Sequence, residues 1–157
     1  MPPGLSEEGW DVTVVGCALS KPAGESEEAW GRVVSLDATA SVPWRLRPWV
    51  DPGRLMSSAW ALRRWLRRNV HRRTVVEVAN WSGQAGLVPK SGPVVARLSS
   101  SWSFNVSTSP SWEDRLRLRM ERRTVRKAHR ILAHSESIAE RALALYGRAA
   151  DAVIPLG

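Results

Sequence analysis

The sequence predicts an α/β protein with an open, mostly parallel sheet and flanking helices. Short runs rich in valine, isoleucine and leucine alternate with longer amphipathic segments, as expected for parallel strands joined by crossover helices. The chain has 157 residues, which is the size of one domain with one hydrophobic core. Its composition, 43% hydrophobic and 24% charged, is that of a globular protein and excludes disordered and collagen-like chains.

Two strands and a helix are predicted in the first half of the chain. The runs DVTVVG (11–16) and RVVSL (32–36) are short and β-branched, which is typical of buried strands. The polar segment SKPAGESEEAWG (20–31) lies between them and predicts a loop. From Arg54 onward, apolar residues recur four, three and four positions apart, with arginines mostly elsewhere. This spacing predicts an amphipathic helix with a basic outer face.

The second half of the chain is predicted to add four strands and two helices. The strands are the apolar runs at 74–78, 93–98, 130–134 and 152–156. Residues 111–128 lack proline and glycine and are dense in arginine and leucine, so we expect an exposed, basic helix. A further helix is predicted to open at a capping box formed by Ser137 and Glu140 and to end at Gly147. This order of elements indicates a Rossmann-like sheet.

The net charge of +8 is unevenly distributed along the chain. Residues 1–40 hold two basic and seven acidic side chains, whereas the remainder holds 21 basic and eight acidic ones. This asymmetry indicates an anionic partner, whether nucleic acid, lipid head groups or a phosphorylated substrate. Arginines cluster at 63–73 and 115–130, where the bland explanation is a solvated helix face. Because 20 of the 23 basic residues are arginine, as GC-biased coding also produces, the composition is not evidence of nucleic-acid recognition.

Cysteine and histidine usage gives no sign of a metal site or a disulfide. The single cysteine, Cys17, has no internal partner, which fits a reducing compartment. His71, His129 and His134 lack metal-ligand spacing and a nucleophilic partner, so no metal, catalytic triad or cofactor is predicted. No signal peptide or spanning segment is recognisable, and we expect a cytoplasmic location.

Three segments of the sequence share features with a known family, namely LSEEGWDVTVV (5–15), VVEVANWSG (75–83) and GPVVARLSSSW (92–102). The first resembles the junction between the first helix and the second strand of family 4 glycosyltransferases, and the other two resemble a later strand pair of that family. In the family a histidine follows the second of these strands, and Ser99 holds its position here. The stretch 121–157 is similar to the family's later helix, strand and helix. The residues in register there are Glu121, Ala128, Ser135, Tyr146, Gly147, Pro155 and Gly157.

The resemblance implies that residues 1–157 form a single Rossmann-like domain, the amino-terminal, acceptor-side half of an enzyme with the GT-B fold. Such an enzyme transfers a sugar from a nucleotide-sugar donor to a hydroxyl acceptor, which is a carbohydrate or a lipid-linked molecule. The resemblance covers neither the family's opening glycine-rich strand nor its donor-binding second half. We therefore expect the chain to be inactive alone, because the groups that stabilise the leaving diphosphate belong to that second half.

Substrate-binding residues are expected in the loops at the carboxyl ends of the parallel strands. Hydroxyls, an amide and indole faces can bind or stack on a sugar, and the amides at a helix start can receive a sugar or phosphate oxygen. The residues are Ser99, Ser100, Trp102, Asn80, Trp81, Ser135 and Glu136. The alternatives are a plain loop for 99–102, loop packing for 80–81 and helix capping for 135–136. A fourth loop, at Gly16–Cys17, is expected at the same edge.

Two further interpretations accompany this assignment. Glu113 and Glu121 match the spacing of a donor-site carboxylate pair, but they lie in the wrong half, and we expect solvated ion pairs with neighbouring arginines instead. The alternative function is a non-catalytic basic module that binds nucleic acid or an anionic membrane through the arginine-rich helices. Peripheral contact with the inner membrane face is also compatible with the enzyme, whereas nucleic acid is not an expected partner of it.

Overall fold

The computed structural model describes residues 8–18, 23–38, 50–80, 83–89, 92–99 and 109–155. Within these ranges the chain forms the strands β1 (Thr13–Ala18), β2 (Gly24–Glu28), β3 (Gly31–Asp37), β4 (Val76–Ala79), β5 (Val94–Leu98), β6 (Arg130–Ala133) and β7 (Ala152–Val153). The helices are α1 (Val50–Asn69), α2 (Trp112–Lys127) and α3 (Glu136–Tyr146), and a one-turn 3₁₀ helix spans Gln84–Leu87. The α/β fold class is therefore confirmed.

Four strands form a parallel sheet in the order β4-β5-β6-β7. Each strand lies next to the one that follows it in the chain, and the 3₁₀ segment, α2 and α3 provide the crossovers. Successive right-handed crossovers in one direction place their helices on the same face of a sheet. The core agrees with this rule, because Ala96, Leu98 and Ile131 pack with residues of α1, α2 and α3 in one buried cluster.

The remaining strands form a separate three-stranded sheet in the order β1-β3-β2. The strands β1 and β3 are parallel, and β2 pairs antiparallel with β3 as a hairpin. The division into two sheets, and β2 itself, correct the sequence-based expectation of one sheet with a loop at 20–31. The strand β2 has the sequence GESEE, all of it exposed, so it carries none of the apolar alternation by which strands are recognised.

Gly31 is required where the hairpin turns into β3. Its φ is 145°, and a Cβ at this position would lie 2.3 Å from the carbonyl oxygen of Val12. The Arg32 N–H donates to that same carbonyl at 2.9 Å, so the hairpin and the start of β1 are tied at this point. A side chain here would push β1 and β3 apart, which explains a glycine inside a paired strand.

The helix α1 joins the two sheets. It packs on β1 and β3 and on the 3₁₀ segment, and the Cys17 thiol lies 3.5 Å from the Ser58 carbonyl oxygen. Further along α1, Leu66 belongs to the main core cluster under β5. The helix α1 thus contacts the three-stranded sheet at Ser58 and the core of the parallel sheet through Leu66.

The start of α3 is capped by Ser135, as one sequence interpretation held, and not by the predicted box at Ser137 and Glu140. Ser135 is the N-cap of α3, and its hydroxyl accepts from the Ile138 N–H at 3.3 Å. Ser137 lies inside the helix, so the predicted capping box at Ser137 and Glu140 is wrong. The helix ends as predicted at Gly147, whose φ of 68° is the left-handed conformation favoured by glycine.

Candidate functional site

Polar residues follow three neighbouring strands at one edge of the parallel sheet. Asn80 follows β4, Ser99 follows β5, and His134 and Ser135 follow β6. The backbone ladder continues to this edge, because the Asn80 N–H donates to the Arg97 carbonyl at 3.1 Å and the His134 N–H donates to the Leu98 carbonyl at 3.2 Å. The predicted convergence of these strand ends is therefore present in the structure.

Part of the predicted site lies elsewhere. Gly16 and Cys17 lie inside β1, in the other sheet, so the expectation of a binding loop at these two residues is wrong. Cys17 is half-buried against α1, and burial raises the pKa of its thiol. The predicted residues Trp81, Ser100 and Trp102 lie outside the described residues.

Asn80 lies under the edge rather than on it. Its side chain is 1% exposed, and its Nδ2 donates to the hydroxyl of Tyr146 at 3.3 Å. That hydroxyl in turn donates to Oε2 of Glu121 at 3.2 Å. The Asn80 side chain thus packs inside the protein, and its place among the acceptor-binding residues stays a prediction. Glu121 is fully buried, so the expectation of a solvated ion pair for it is wrong.

The start of α3 is capped by Ser135, and its first turn is exposed. The Ser135 hydroxyl caps the helix, as one sequence interpretation held, and Glu136 is exposed in the first turn. A carboxylate at this position is stabilised by the positive end of the helix dipole. The Ser135 hydroxyl already accepts one hydrogen bond from within the chain, so toward a ligand it retains its O–H donor and one lone pair.

His134 is the residue at this edge that sequence reasoning did not single out. Both of its ring nitrogens are buried, and among the described residues neither has a hydrogen-bond partner. Leu98 pairs with Ala133 across β5 and β6, so the next residues, Ser99 and His134, extend the two strands side by side. Ser99 holds the position where the resemblance places a histidine. His134 could have been predicted as a site residue from the pairing of β5 with β6, because this pairing places it beside Ser99.

The face of the parallel sheet opposite the helices carries an ion pair. The guanidinium of Arg97 on β5 pairs with both carboxylate oxygens of Glu77 on β4, and this contact raises the pKa of Arg97. Arg97 and Glu77 lie at staggered positions of neighbouring strands, two residues apart in register and therefore on the same face of the sheet. Because Arg97 and Glu77 neutralise each other, the polar groups at the carboxyl edge of the sheet are those of the residues that follow the strands.

No group of three or more histidine, cysteine or acidic side chains is placed to hold a metal ion within the described residues. Among the described helices, none combines the length and apolarity needed to cross a membrane.

Comparison with known proteins identifies the family. The glycosyl transferase 4-like domain matches residues 3–157, which is nearly the whole chain. No curated protein matches the chain significantly. The match agrees with the parallel sheet, with its three helices and with the segments that resemble family 4 enzymes. By this match the chain belongs to the glycosyl transferase 4-like family, and its fold is a Rossmann-like half of the GT-B type.

Proposed function

We propose that this chain is the acceptor-side half of a glycosyltransferase that moves a sugar from a nucleotide-sugar donor to a hydroxyl acceptor. The acceptor would bind at the carboxyl edge of the parallel sheet, next to Ser99, His134 and Ser135. The observation that carries the proposal is the convergence of polar residues on three adjacent strand ends, in a chain of this family. Ligands of open α/β sheets bind at this edge.

The chemistry divides between two halves of the enzyme. The acceptor oxygen forms a bond to the anomeric carbon, the bond from that carbon to the phosphate oxygen breaks, and the nucleoside diphosphate leaves with the electron pair. The acceptor's hydroxyl proton passes to a base. Stabilising the diphosphate is the larger electrostatic task, and we assign it to a second, donor-binding domain. This chain alone would therefore bind acceptor without turnover, and it needs no cofactor beyond the donor substrate.

The described edge residues have distinct roles in this proposal. Ser99 and His134 offer a hydroxyl and an imidazole to the acceptor, and the first turn of α3 offers backbone N–H groups beside Ser135. Asn80 supports the edge from below through Tyr146. Trp81, Ser100 and Trp102 follow the same strand ends in the sequence, and they remain proposed acceptor-binding residues on that ground.

A titration followed by amide NMR signals tests the proposal. Methyl glycosides of glucose, mannose and galactose are the acceptor probes, and UDP-glucose is the donor probe. We expect at least one glycoside to shift the Ser99, His134 and Ser135 signals saturably, with no release of UDP in the mixture. Saturable shifts confined to α1 and α2 would contradict the acceptor site. UDP release by this chain would contradict the need for a second domain.

Matched histidine variants sharpen the same experiment. His134→Gln removes the imidazole at the edge, whereas His71→Gln removes an exposed imidazole beyond the end of α1. We expect glycoside affinity to fall about tenfold in His134→Gln, as for the loss of one hydrogen bond, and to be unchanged in His71→Gln. Equal affinities in the two variants would remove His134 from the site.

One observation favours a second candidate function, attachment to an anionic membrane surface. Trp60 on the outer face of α1 is 52% exposed, and the Arg63 guanidinium carbon lies 5.9 Å from its ring centroid. Further arginines line the same shallow depression of about 230 Å³, namely Arg64, Arg67 and Arg68. An indole among arginines is suited to the interface between lipid head groups and water. The cytoplasmic location and the inner membrane face belong to this proposal.

Vesicle sedimentation separates the two candidates. If α1 attaches the chain to membranes, phosphatidylglycerol vesicles sediment it and phosphatidylcholine vesicles do not, and added salt weakens the effect. Trp60→Ala together with Arg67→Ala should abolish sedimentation without altering the glycoside-induced shifts. Sedimentation that is insensitive to lipid charge would rule out this second function.

A further inference from the structure

Ser99 and His134 lie side by side on the face of the parallel sheet that is turned away from the helices. Leu98 on β5 and Ile131 on β6 are fully buried in the core cluster on the helix side. Successive side chains of a strand point to opposite faces, and Ser99 and His134 each lie an odd number of residues further on, so both point away from that cluster. The His134 N–H donates to the Leu98 carbonyl at 3.2 Å, so the pairing of the two strands continues to this point.

The imidazole of His134 is buried without a hydrogen bond. Both Nδ1 and Nε2 are buried, and neither nitrogen has a hydrogen-bond partner in the part of the chain that the structure describes. A neutral imidazole carries one N–H donor and one lone pair, and burying both unpaired costs free energy. A group of this kind in a folded protein calls for an explanation, and one explanation is a hydrogen bond that forms only with a ligand.

The ring can present a nitrogen at the sheet edge without any change in the backbone. His134 as a whole is partly exposed while both ring nitrogens are buried, so its exposure lies on carbon and backbone atoms. A half-turn about the Cβ–Cγ bond exchanges Nδ1 with Cδ2 and Nε2 with Cε1, and the ring occupies the same space in both orientations. The turned ring therefore presents nitrogens where ring carbons lie in the structure.

The other described polar side chains at this edge are poorer proton acceptors than an imidazole. Ser99 and Ser135 carry hydroxyls, which are very weak bases. The carboxylate of Glu136 is exposed to water, and a solvated carboxylate is a weaker base than an imidazole. Both carboxylate oxygens of Glu77 accept hydrogen bonds from Arg97. A neutral imidazole is the side chain best suited to receive a proton between pH 5 and pH 8.

We propose that His134 is the base of the transfer reaction: its neutral imidazole accepts a hydrogen bond from one hydroxyl of the bound acceptor and then receives the proton of that hydroxyl. This role rests on the proposed function, because it needs an acceptor at the edge of the sheet. As the acceptor oxygen bonds to the anomeric carbon, its O–H bond breaks, the proton passes to the imidazole nitrogen and the O–H electron pair stays on the oxygen. The imidazolium afterwards gives the proton to water.

The described charges on the elements next to His134 are paired within the sheet or exposed to water. On the strands, Arg97 pairs with Glu77, and Arg130 at the start of β6 pairs with Asp151 before β7. The charged side chains of α3 are all exposed, namely Glu136, Glu140 and Arg141. We therefore expect the pH dependence of acceptor binding to follow the protonation of His134 itself.

Measuring glycoside affinity against pH tests the proposal on the intact chain. The probes are the methyl glycosides of glucose, mannose and galactose, and the Ser99 and Ser135 amide signals report binding from pH 5 to pH 8. The Cε1–H signal of His134 reports its protonation in the same samples. Because only the neutral imidazole can accept the hydrogen bond, we expect affinity to fall about tenfold as His134 becomes protonated.

The possible results separate this proposal from the proposed function. Affinity that stays constant while His134 becomes protonated would overturn the base and leave the acceptor site standing. Affinity that rises in acid would show that the imidazolium donates to the acceptor, which would also overturn the base. Absence of glycoside binding at every pH would overturn both proposals.

Variants assign the pH dependence to one residue. His134→Gln does not titrate, so we expect affinity about tenfold lower than in the original chain at pH 8 and constant with pH. His71→Gln and Glu136→Gln remove an exposed imidazole beyond α1 and the exposed carboxylate next to Ser135, and both should keep the fall in acid. A fall that persists in His134→Gln, or that disappears in Glu136→Gln, would overturn the assignment to His134.

Fluorinated probes show whether a sugar hydroxyl donates the hydrogen bond. Each hydroxyl of the glycoside that binds is replaced in turn by fluorine, which has no proton to donate. We expect one such probe to bind about tenfold more weakly at pH 8 and without pH dependence, and the others to keep that dependence. Dependence in every fluorinated probe would show that His134 acts on the fold rather than on the acceptor, and would overturn the proposal. These probes use the original chain, so they decide the question even if slow exchange of the β5 amides is lost in His134→Gln.

Discussion

The Tyr146 hydroxyl donates to the Glu121 carboxylate at 3.2 Å in the interior of the protein, where Glu121 is 0% and Tyr146 is 9% exposed. The same hydroxyl accepts from Asn80, so one oxygen connects α2, α3 and the end of β4. A buried polar group is stable only when it is hydrogen-bonded, and this arrangement fixes the two helices against the strand end. The carboxyl edge of the parallel sheet, where we propose that acceptor binds, is therefore supported by a polar network in the core.

Removing the Tyr146 hydroxyl should lower the stability of the protein, because two buried side chains hydrogen-bond to it. In Tyr146→Phe the ring still packs, but the Glu121 and Asn80 side chains lose a shared partner in a buried site. We expect the free energy of unfolding to fall by about 1–3 kcal/mol, measured by urea denaturation. Trp112→Phe on the exposed face of α2 is the control and should change it by less than about 0.5 kcal/mol. Equal losses would show that the network contributes nothing.

The two serines at the start of α3 offer an internal comparison. Ser135 caps the helix through the Ile138 N–H, whereas Ser137 is exposed within the first turn. We expect Ser135→Ala to lower the free energy of unfolding by about 1 kcal/mol and Ser137→Ala to leave it nearly unchanged. Thermal or urea unfolding of the two variants measures this. A larger loss in Ser137→Ala would restore the capping box that the sequence suggested.

The pH dependence of stability should contain a contribution from Asp151. Its carboxylate accepts from the Ile131 N–H at 2.7 Å and from Arg130 at 2.9 Å, and these contacts hold the pKa of Asp151 below its usual value of 3.8. A pKa that is lower in the folded state means that the unfolded state binds protons more readily in acid. The stabilisation is therefore complete above about pH 5 and is lost as the pH falls through the folded-state pKa.

The matched variant for this prediction is Asp151→Asn. It should be less stable than the original chain at pH 7, and the difference should shrink as the pH falls below 4, because the protonated aspartate also loses its ion pair. Urea midpoints from pH 2 to pH 7 measure both curves. Parallel curves would show that Asp151 does not titrate differently in the two states.

The sequence predicts the fold well where apolar pattern determines structure. Each strand of the parallel sheet and each of the three helices was expected within a few residues, because burial on one face imposes a period of two or 3.6 on the residues. The strand β2 was missed because all of its side chains are exposed, so its sequence has no apolar alternation. A strand of exposed polar residues cannot be recognised from its amino-acid types.

The candidate site was predictable in place but not in detail. The carboxyl ends of parallel strands must meet at one edge, so Asn80, Ser99 and Ser135 could be grouped from the sequence. That Asn80 lies inside while His134 lies beside Ser99 depends on strand register, and the burial of Glu121 depends on a tyrosine 25 residues away. Neither relationship is local in the sequence, so neither could be read from it.

The reactivity of Cys17 reports whether β1 is held against α1. The thiol lies 3.5 Å from the Ser58 carbonyl oxygen, and burial raises the pKa of Cys17, so the reactive thiolate is scarce at neutral pH. We expect iodoacetamide at pH 8 to alkylate it at least about tenfold more slowly than a short peptide of residues 13–20, followed by mass spectrometry. In 6 M urea the two rates should become equal, because the thiol is then free of α1. Rates that are already equal without denaturant would mean that the three-stranded sheet is not packed on α1.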